Sequence, residues 1–233
     1  MGLAIALRPR PCQNPILVSQ NEVLRGDDVA TRIAARTVAK RSTSYTGEVR
    51  RLLDAALDVI GTLGCTSRAR VADIVAAAGL SNDAFYRHFP SKDALVAALL
   101  EDGTDRLASY VGHQMAKETT PEGQIRRWVE GVLSQTKEQT AATTLAVLWN
   151  GGSVGTGIDA GRHNASAPLG ALLHESFAAL GSTDPELHAS LAAHATVGKV
   201  ADYLWAGEQP TRAELDRITQ FCIAAATPRP RKR

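Results

Sequence analysis

The stretch AAAGLSNDAFYRHFPSKDAL, residues 76–95, decides how the rest of the chain is read. Its apolar residues are short, and a tyrosine, an arginine, a histidine and a lysine fall within the seven positions from Tyr86 to Lys92. A segment that only filled a core would have no use for them. Gly79 suits a sharp turn, because glycine enters the left-handed backbone region without penalty. Upstream, Val71, Ile74, Val75 and Ala78 recur at helical spacing and predict a short helix that stops at Gly79. Ser81 is a good N-cap for a second helix running to His88 or Phe89, beyond which Pro90 prevents extension.

The unit is therefore a helix, a tight turn and a second helix. Leu80 seals the corner. Ala84, Phe85 and Phe89 face inward against Leu53, Leu57 and Ile74, which leaves Asn82, Asp83, Tyr86 and Arg87 on the outer face. A helix-turn-helix lays such a face in the DNA major groove. Two plainer readings stand beside this one. Tyr86 is equally compatible with a partly buried core aromatic, and His88 with a histidine satisfied by a nearby carbonyl.

Working outward, Val49, Leu53, Ala56, Leu57, Ile60 and Leu63 form one stripe of an amphipathic helix from Thr46 to Gly64. Ser91 caps a further helix carrying Leu95, Val96, Leu99, Leu100 and Leu107. Thr120-Pro121 places a cap and an N1 proline before IRRWVEGVL. AATTLAVLW follows, then the glycine-rich NGGSVGTG. APLGALLHESFAAL reads as one helix, Asp184-Pro185 starts a long one, and Thr211 with Glu214 makes a capping box before LDRITQFCIAAA. No alternating β-branched runs separated by hairpin turns occur, so the expected fold class is all-α.

Charge is uneven along the 233 residues. Residues 1–92 hold 13 basic against 8 acidic side chains, and residues 93–233 hold 13 against 16. A basic front half suits a polyanionic partner. Cys12, Cys65 and Cys222 lie far apart with no CxxC pairing, which fits a reducing compartment and argues against disulfides and zinc. No apolar run reaches the roughly 18 residues of a membrane span. The opening MGLAIALRPRP puts apolar residues before its arginines, the reverse of a signal peptide, and Ala6 breaks the myristoylation pattern. The expected location is the cytoplasm.

The run DIVAAAGLSNDAFYRHFPSKDAL, residues 73–95, resembles the N-terminal DNA-binding domain of TetR-family transcriptional regulators. Their pattern D-I-A-x-x-A-G-V-S-x-x-x-x-Y-x-H-F-x-x-K-x-x-L is met by Asp73, Ile74, Ala78, Gly79, Ser81, Tyr86, His88, Phe89, Lys92 and Leu95, while Val75 and Leu80 depart from it but stay apolar. The resemblance covers about residues 46–100. It implies a helical homodimer, with a variable ligand-binding domain after the reader and the last two long helices at the dimer interface. It implies that Tyr86 and His88 hydrogen-bond phosphates, with Lys92 adding a charge. It further implies that Asn82, Asp83 and Arg87 lie closest to base edges, Asn suiting adenine and Arg guanine. Asp83 stands where the family often has glycine, and Ala84 lacks a hydroxyl many relatives carry. Arg70 replaces a small hydroxyl residue just before the second helix and is expected to supply a phosphate contact. Ser81 completes the expected DNA-binding set.

Other motifs carry less. GGSVGTG, residues 151–157, lacks both the P-loop ending and the Rossmann spacing. Ser134 and Lys137 match S-x-x-K in form, without S-D-N or K-T-G. Single tryptophans in amphipathic helices are usually core; the other reading has Trp128, Trp149 and Phe177 lining a pocket for an apolar ligand, with a histidine fixing its orientation.

The sequence thus predicts a basic, flexible arm over 1–45, in which Arg32, Arg36, Lys40 and Arg41 reach DNA, and a helix-turn-helix domain over 46–92. A helical ligand-binding and dimerisation domain follows over 93–226, with a basic tail over 227–233. It predicts a ligand-responsive repressor on a pseudo-palindromic operator, with no cofactor, no metal and no enzymatic activity. The alternatives are an effector-independent architectural DNA-binding protein and a helical small-molecule enzyme. The second has no carboxylate pair, metal cluster or nucleophile–base set behind it.

Overall fold

The computed structural model describes the backbone of residues 29–151 and 165–227, and side chains from Ser44 onward within those spans except Gln139. Most of the arm expected over 1–45, most of the glycine-rich stretch and the tail lie outside the described residues. The chain divides into two units, Met1–Tyr45 and Thr46–Arg233, and apart from the first part of the first helix every feature below belongs to the second.

Among the described residues all regular structure is helical. Helices α1 (Val29–Leu63), α2 (Val71–Ala78), α3 (Asn82–His88) and α4 (Lys92–Met115) come first. Then follow α5 (Pro121–Leu133), a 3-10 turn at Ser134–Thr136, α6 (Glu138–Asn150), α7 (Ser166–Ala171), α8 (His174–Ala179), α9 (Pro185–Ala206) and α10 (Arg212–Ala226). Two boundaries differ from the sequence reading. The helix expected to begin at Thr46 is assigned from Val29. The run expected as one helix after residue 165 is split into α7 and α8 at Leu172-Leu173.

The caps explain why most other boundaries fall where they do. The hydroxyls of Ser81, Ser91 and Thr120 accept from the backbone N–H of Ala84, Ala94 and Gly123. The Asp184 carboxylate accepts from Leu187 N–H, and Thr211 and Glu214 complete their reciprocal box. Each such cap stabilises its helix by about 1 kcal/mol. Gly79 ends α2 at φ 62°, the left-handed turn a side chain with a Cβ resists.

Two apolar clusters carry the fold. The first joins α1–α4 around Leu52, Ile60, Ile74, Phe85, Leu95 and Val96, all fully buried, and takes in Ala146 and Val147 of α6. Each such side chain contributes about 1.5–3 kcal/mol by leaving water. The second lies among α4, α5 and α7–α10, around Val111, Ile125, Trp128, Leu173 and Phe177. Here α4 and α5 approach closely because Gly131 has no Cβ; one placed there would stand 2.8 Å from Val111 Cγ2.

Candidate nucleic-acid interface and ligand cavity

Helices α2 and α3 form a helix-turn-helix. Its corner is closed by Leu80 N–H donating to Val75 O at 2.9 Å, with Leu80 packed on the first cluster. Helix α3 is only seven residues long, so packing rather than propensity holds it. Ala84 and Phe85 are its buried face, and Phe85 packs against Phe89 with the rings tilted and their centroids 5.8 Å apart. Fixing that face inward turns Asn82, Asp83, Tyr86 and Arg87 to solvent. Tyr86 is 57% exposed, its ring edge-on to Phe85, so it is no core aromatic. Arg70, at the N-cap of α2, and Ser81 are exposed as well, and Lys92 at the start of α4 is half-buried.

His88 is placed differently from the others. Its side chain is 9% exposed, and Nε2 lies 2.8 Å from Glu48 Oε2. A carboxylate only accepts, so Nε2 carries the proton and donates. His88 therefore faces α1 rather than the outer surface of α3, with the Glu48 carboxylate as a polar partner. Arg87 Nη1 donates to the same Glu48 oxygen at 3.2 Å. The bond from His88, with Arg87 and Arg51 nearby, holds the Glu48 carboxyl below the usual carboxylate range. Glu48 was invisible to the sequence reading because its partners lie 39 and 40 residues away.

A second feature lies behind the reader. A cavity of about 260 Å³ is bounded by Leu57 of α1, by Leu99, Leu100, Thr104 and Leu107 of α4, and by Val132 of α5. Thr143, Thr144, Val147 and Leu148 of α6, Leu169 of α7, and Val197, Val200 and Leu204 of α9 also line it. Among the described residues no charged side chain lines it; the polar groups there are Gln135 and the three threonines. The residues expected at such a pocket sit elsewhere. Trp128 and Phe177 are fully buried in the second cluster, where Trp128 Nε1–H donates to Leu169 O at 2.8 Å. Trp149 is half-buried beneath Arg68, whose guanidinium carbon is 5.5 Å from the ring centroid. Trp128 and Trp149 lie on helices the sequence reading expected and Phe177 on the second part of a run expected as one helix, but which side of each helix meets the void depends on neighbours no local pattern names.

Residues 52–99 match the model of the bacterial regulatory proteins of the tetR family. They are a TetR-family DNA-binding domain. The match takes in the last third of α1, all of α2 and α3, and the first turns of α4, so it includes the exposed face of α3. Solved structures extend the likeness in fold beyond this TetR-type domain. A candidate TetR-family transcriptional regulator from Mesorhizobium loti superposes with a TM-score of 0.57 at 17% identity, over 78% of this chain and 96% of that one. A transcriptional regulator from Rhodococcus sp. Rha1 gives 0.57 at 18%, over 76% and 94%. The fatty acid degradation regulator FadR from Bacillus halodurans gives 0.52 at 19%, also over 76% and 94%. Identities this low show a shared fold. No curated protein matches the chain.

Among the described residues no three His, Cys, Asp or Glu side chains gather as a metal site. No helix among them is long and apolar enough to cross a membrane.

Proposed function

We propose that this chain is a homodimeric, ligand-responsive transcriptional repressor acting in the cytoplasm on a pseudo-palindromic operator. The observation that carries the reading is the exposed row Asn82, Asp83, Tyr86 and Arg87 on a helix whose opposite side is locked into a core. Each protomer lays α3 in one major groove, and the two half-sites lie one helical turn, about 34 Å, apart. Tyr86, Lys92, Arg70 and the Ser81 hydroxyl serve as phosphate donors that fix register. Asn82 and Arg87 read base edges, and Asp83 accepts from a cytosine amino group or restrains Arg87. His88, turned to Glu48, takes a supporting role rather than a phosphate contact.

The dimer forms through α9 and α10. Of the seven large apolar or aromatic side chains strongly exposed among the described residues, Leu187, Leu191, Trp205 and Phe221 lie on these two helices. That concentration favours burial against a second copy over chance exposure.

The effector occupies the cavity behind the reader. Its described lining favours a small, uncharged, largely apolar molecule, since a charge set against those residues would lose its hydration without a partner among them. Because α4 both lines the cavity and begins two residues after Pro90, an occupant that prefers a different setting of α4 moves the reading head. A thousandfold release of DNA requires roughly 4 kcal/mol of difference in the effector's affinity for the two states. The test is selection of duplexes from a random library by the full chain. Enrichment of an inverted repeat supports the reading; recovery of unrelated sequences would sink it.

A further inference from the structure

Glu48 is a negative charge beside Arg87, on the face that is to approach the phosphates of DNA. Left without a role, it would weaken binding to every DNA sequence alike. Its geometry argues for a role. One oxygen, Oε2, accepts from both His88 Nε2 at 2.8 Å and Arg87 Nη1 at 3.2 Å. Exposure is graded outward across the three: His88 9%, Glu48 17%, Arg87 49% of the side chain. The acid thus sits behind the surface, braced by a nearly covered imidazole, and holds a guanidinium that remains half in solvent. One Nη1 bond to Glu48 leaves the other guanidinium N–H groups free for other acceptors.

We propose that Glu48 is a positioning residue for sequence reading, an α1 carboxylate that orients the Arg87 fork for its base. The proposal rests on the assignment of α3 to the major groove. An unrestrained arginine loses rotamer freedom when a base pins it; one already held by Glu48 loses less. That advantage appears only at sequences where Arg87 finds its base. The carboxylate's repulsion of phosphates, by contrast, acts at all sequences. Glu48 therefore lowers general affinity and raises discrimination.

The experiment uses the full chain, the duplex that wild type selects from a random library, and a scrambled duplex of equal length. Affinities for both are measured for wild type, Glu48→Gln, Arg87→Ala and the double variant. Glu48→Gln is expected to bind the scrambled duplex as tightly as wild type or more so, while the selected-to-scrambled ratio falls about fivefold. In the Arg87→Ala background Glu48→Gln is expected to cause no further fall. Glu48→Asp, which keeps the charge on a shorter stem, should fall between wild type and Glu48→Gln, and it serves if Glu48→Gln does not fold. A retained ratio, or an equal fall with and without Arg87, overturns the proposal while leaving the assignment of α3 intact. A wild-type chain that selects no sequence overturns both.

Discussion

The side-chain carbonyl of Asn150, the last residue of α6, accepts a hydrogen bond from the backbone N–H of Ala69 at 3.0 Å, across 81 residues of chain. Asn150 is fully buried, and its amide nitrogen donates to Ala146 O at 3.0 Å. Ala69 is the buried residue just before Arg70, the N-cap of α2. The end of a cavity-lining helix is thus fastened to the entrance of the helix-turn-helix. Asn150→Leu removes the acceptor and leaves a buried N–H without it. The expected loss is about 1–3 kcal/mol, read as a lowered midpoint in urea unfolding. An unchanged midpoint would mean that water reaches Ala69 N–H.

On the DNA face, two kinds of substitution should separate. Tyr86→Phe and Lys92→Ala are expected to weaken binding to every duplex, Lys92→Ala also lowering the salt slope by about 1. Asn82→Ala and Arg87→Ala should each cost ~1–3 kcal/mol at one base pair and flatten preference there. Titration of single-substitution duplexes at several salt concentrations measures both.

Cavity occupation has its own test. Val197→Trp places bulk in the void from α9. It is expected to weaken binding of a neutral apolar dye, N-phenyl-1-naphthylamine, by about tenfold or more, ~1.4 kcal/mol. Binding of the selected duplex without dye should be little changed. Fluorescence titration reads the first and gel shift the second.

Much of this fold was legible because its signals are local. Ser81, Ser91, Thr120, Asp184 and Thr211 bond to backbone N–H groups only three residues on, so a short window contains both partners. The exposed row on α3 was legible for the same reason, since seven residues suffice to phase a helix around Phe85. What escaped is non-local. Glu48 reaches α3, Asn150 reaches Ala69, and the cavity wall draws on six helices and the 3-10 turn between two of them. The tryptophans left two readings open, core or pocket, because a large side chain fills a core or lines a void equally well. The break at Leu172-Leu173 carries no glycine or proline between α7 and α8 to mark it.

Acid should act on the Glu48 bond in one direction. Its folded pKa lies below the ordinary value of 4.5, so its contribution is fully present above 4.5 and is lost as pH falls through the lowered value. Glu214 follows the same rule, its carboxylate favoured by the Thr211 N–H and hydroxyl. Urea midpoints of wild type and Glu48→Gln, compared at neutral pH and across the acid range, should converge at the acid end. A gap that persists there would show that charge is not what Glu48 contributes.

The two described cysteines should differ sharply. Cys222 is buried and its thiol pKa is pushed up to about 11 by burial, whereas Cys65 is exposed. Since the thiolate is the reactive form, iodoacetamide is expected to label Cys65 in the folded protein and Cys222 only on unfolding. Peptide mass mapping over time distinguishes them.

The most direct measurement of the central claim is protection of guanine N7 from dimethyl sulfate on the selected duplex, since N7 lies in the major groove. The account predicts two protected patches centred about one helical turn, ~34 Å, apart, both lost in Leu191→Glu/Phe221→Glu and one guanine per patch unmasked in Arg87→Ala. A single patch, or protection that survives both variants, would contradict it.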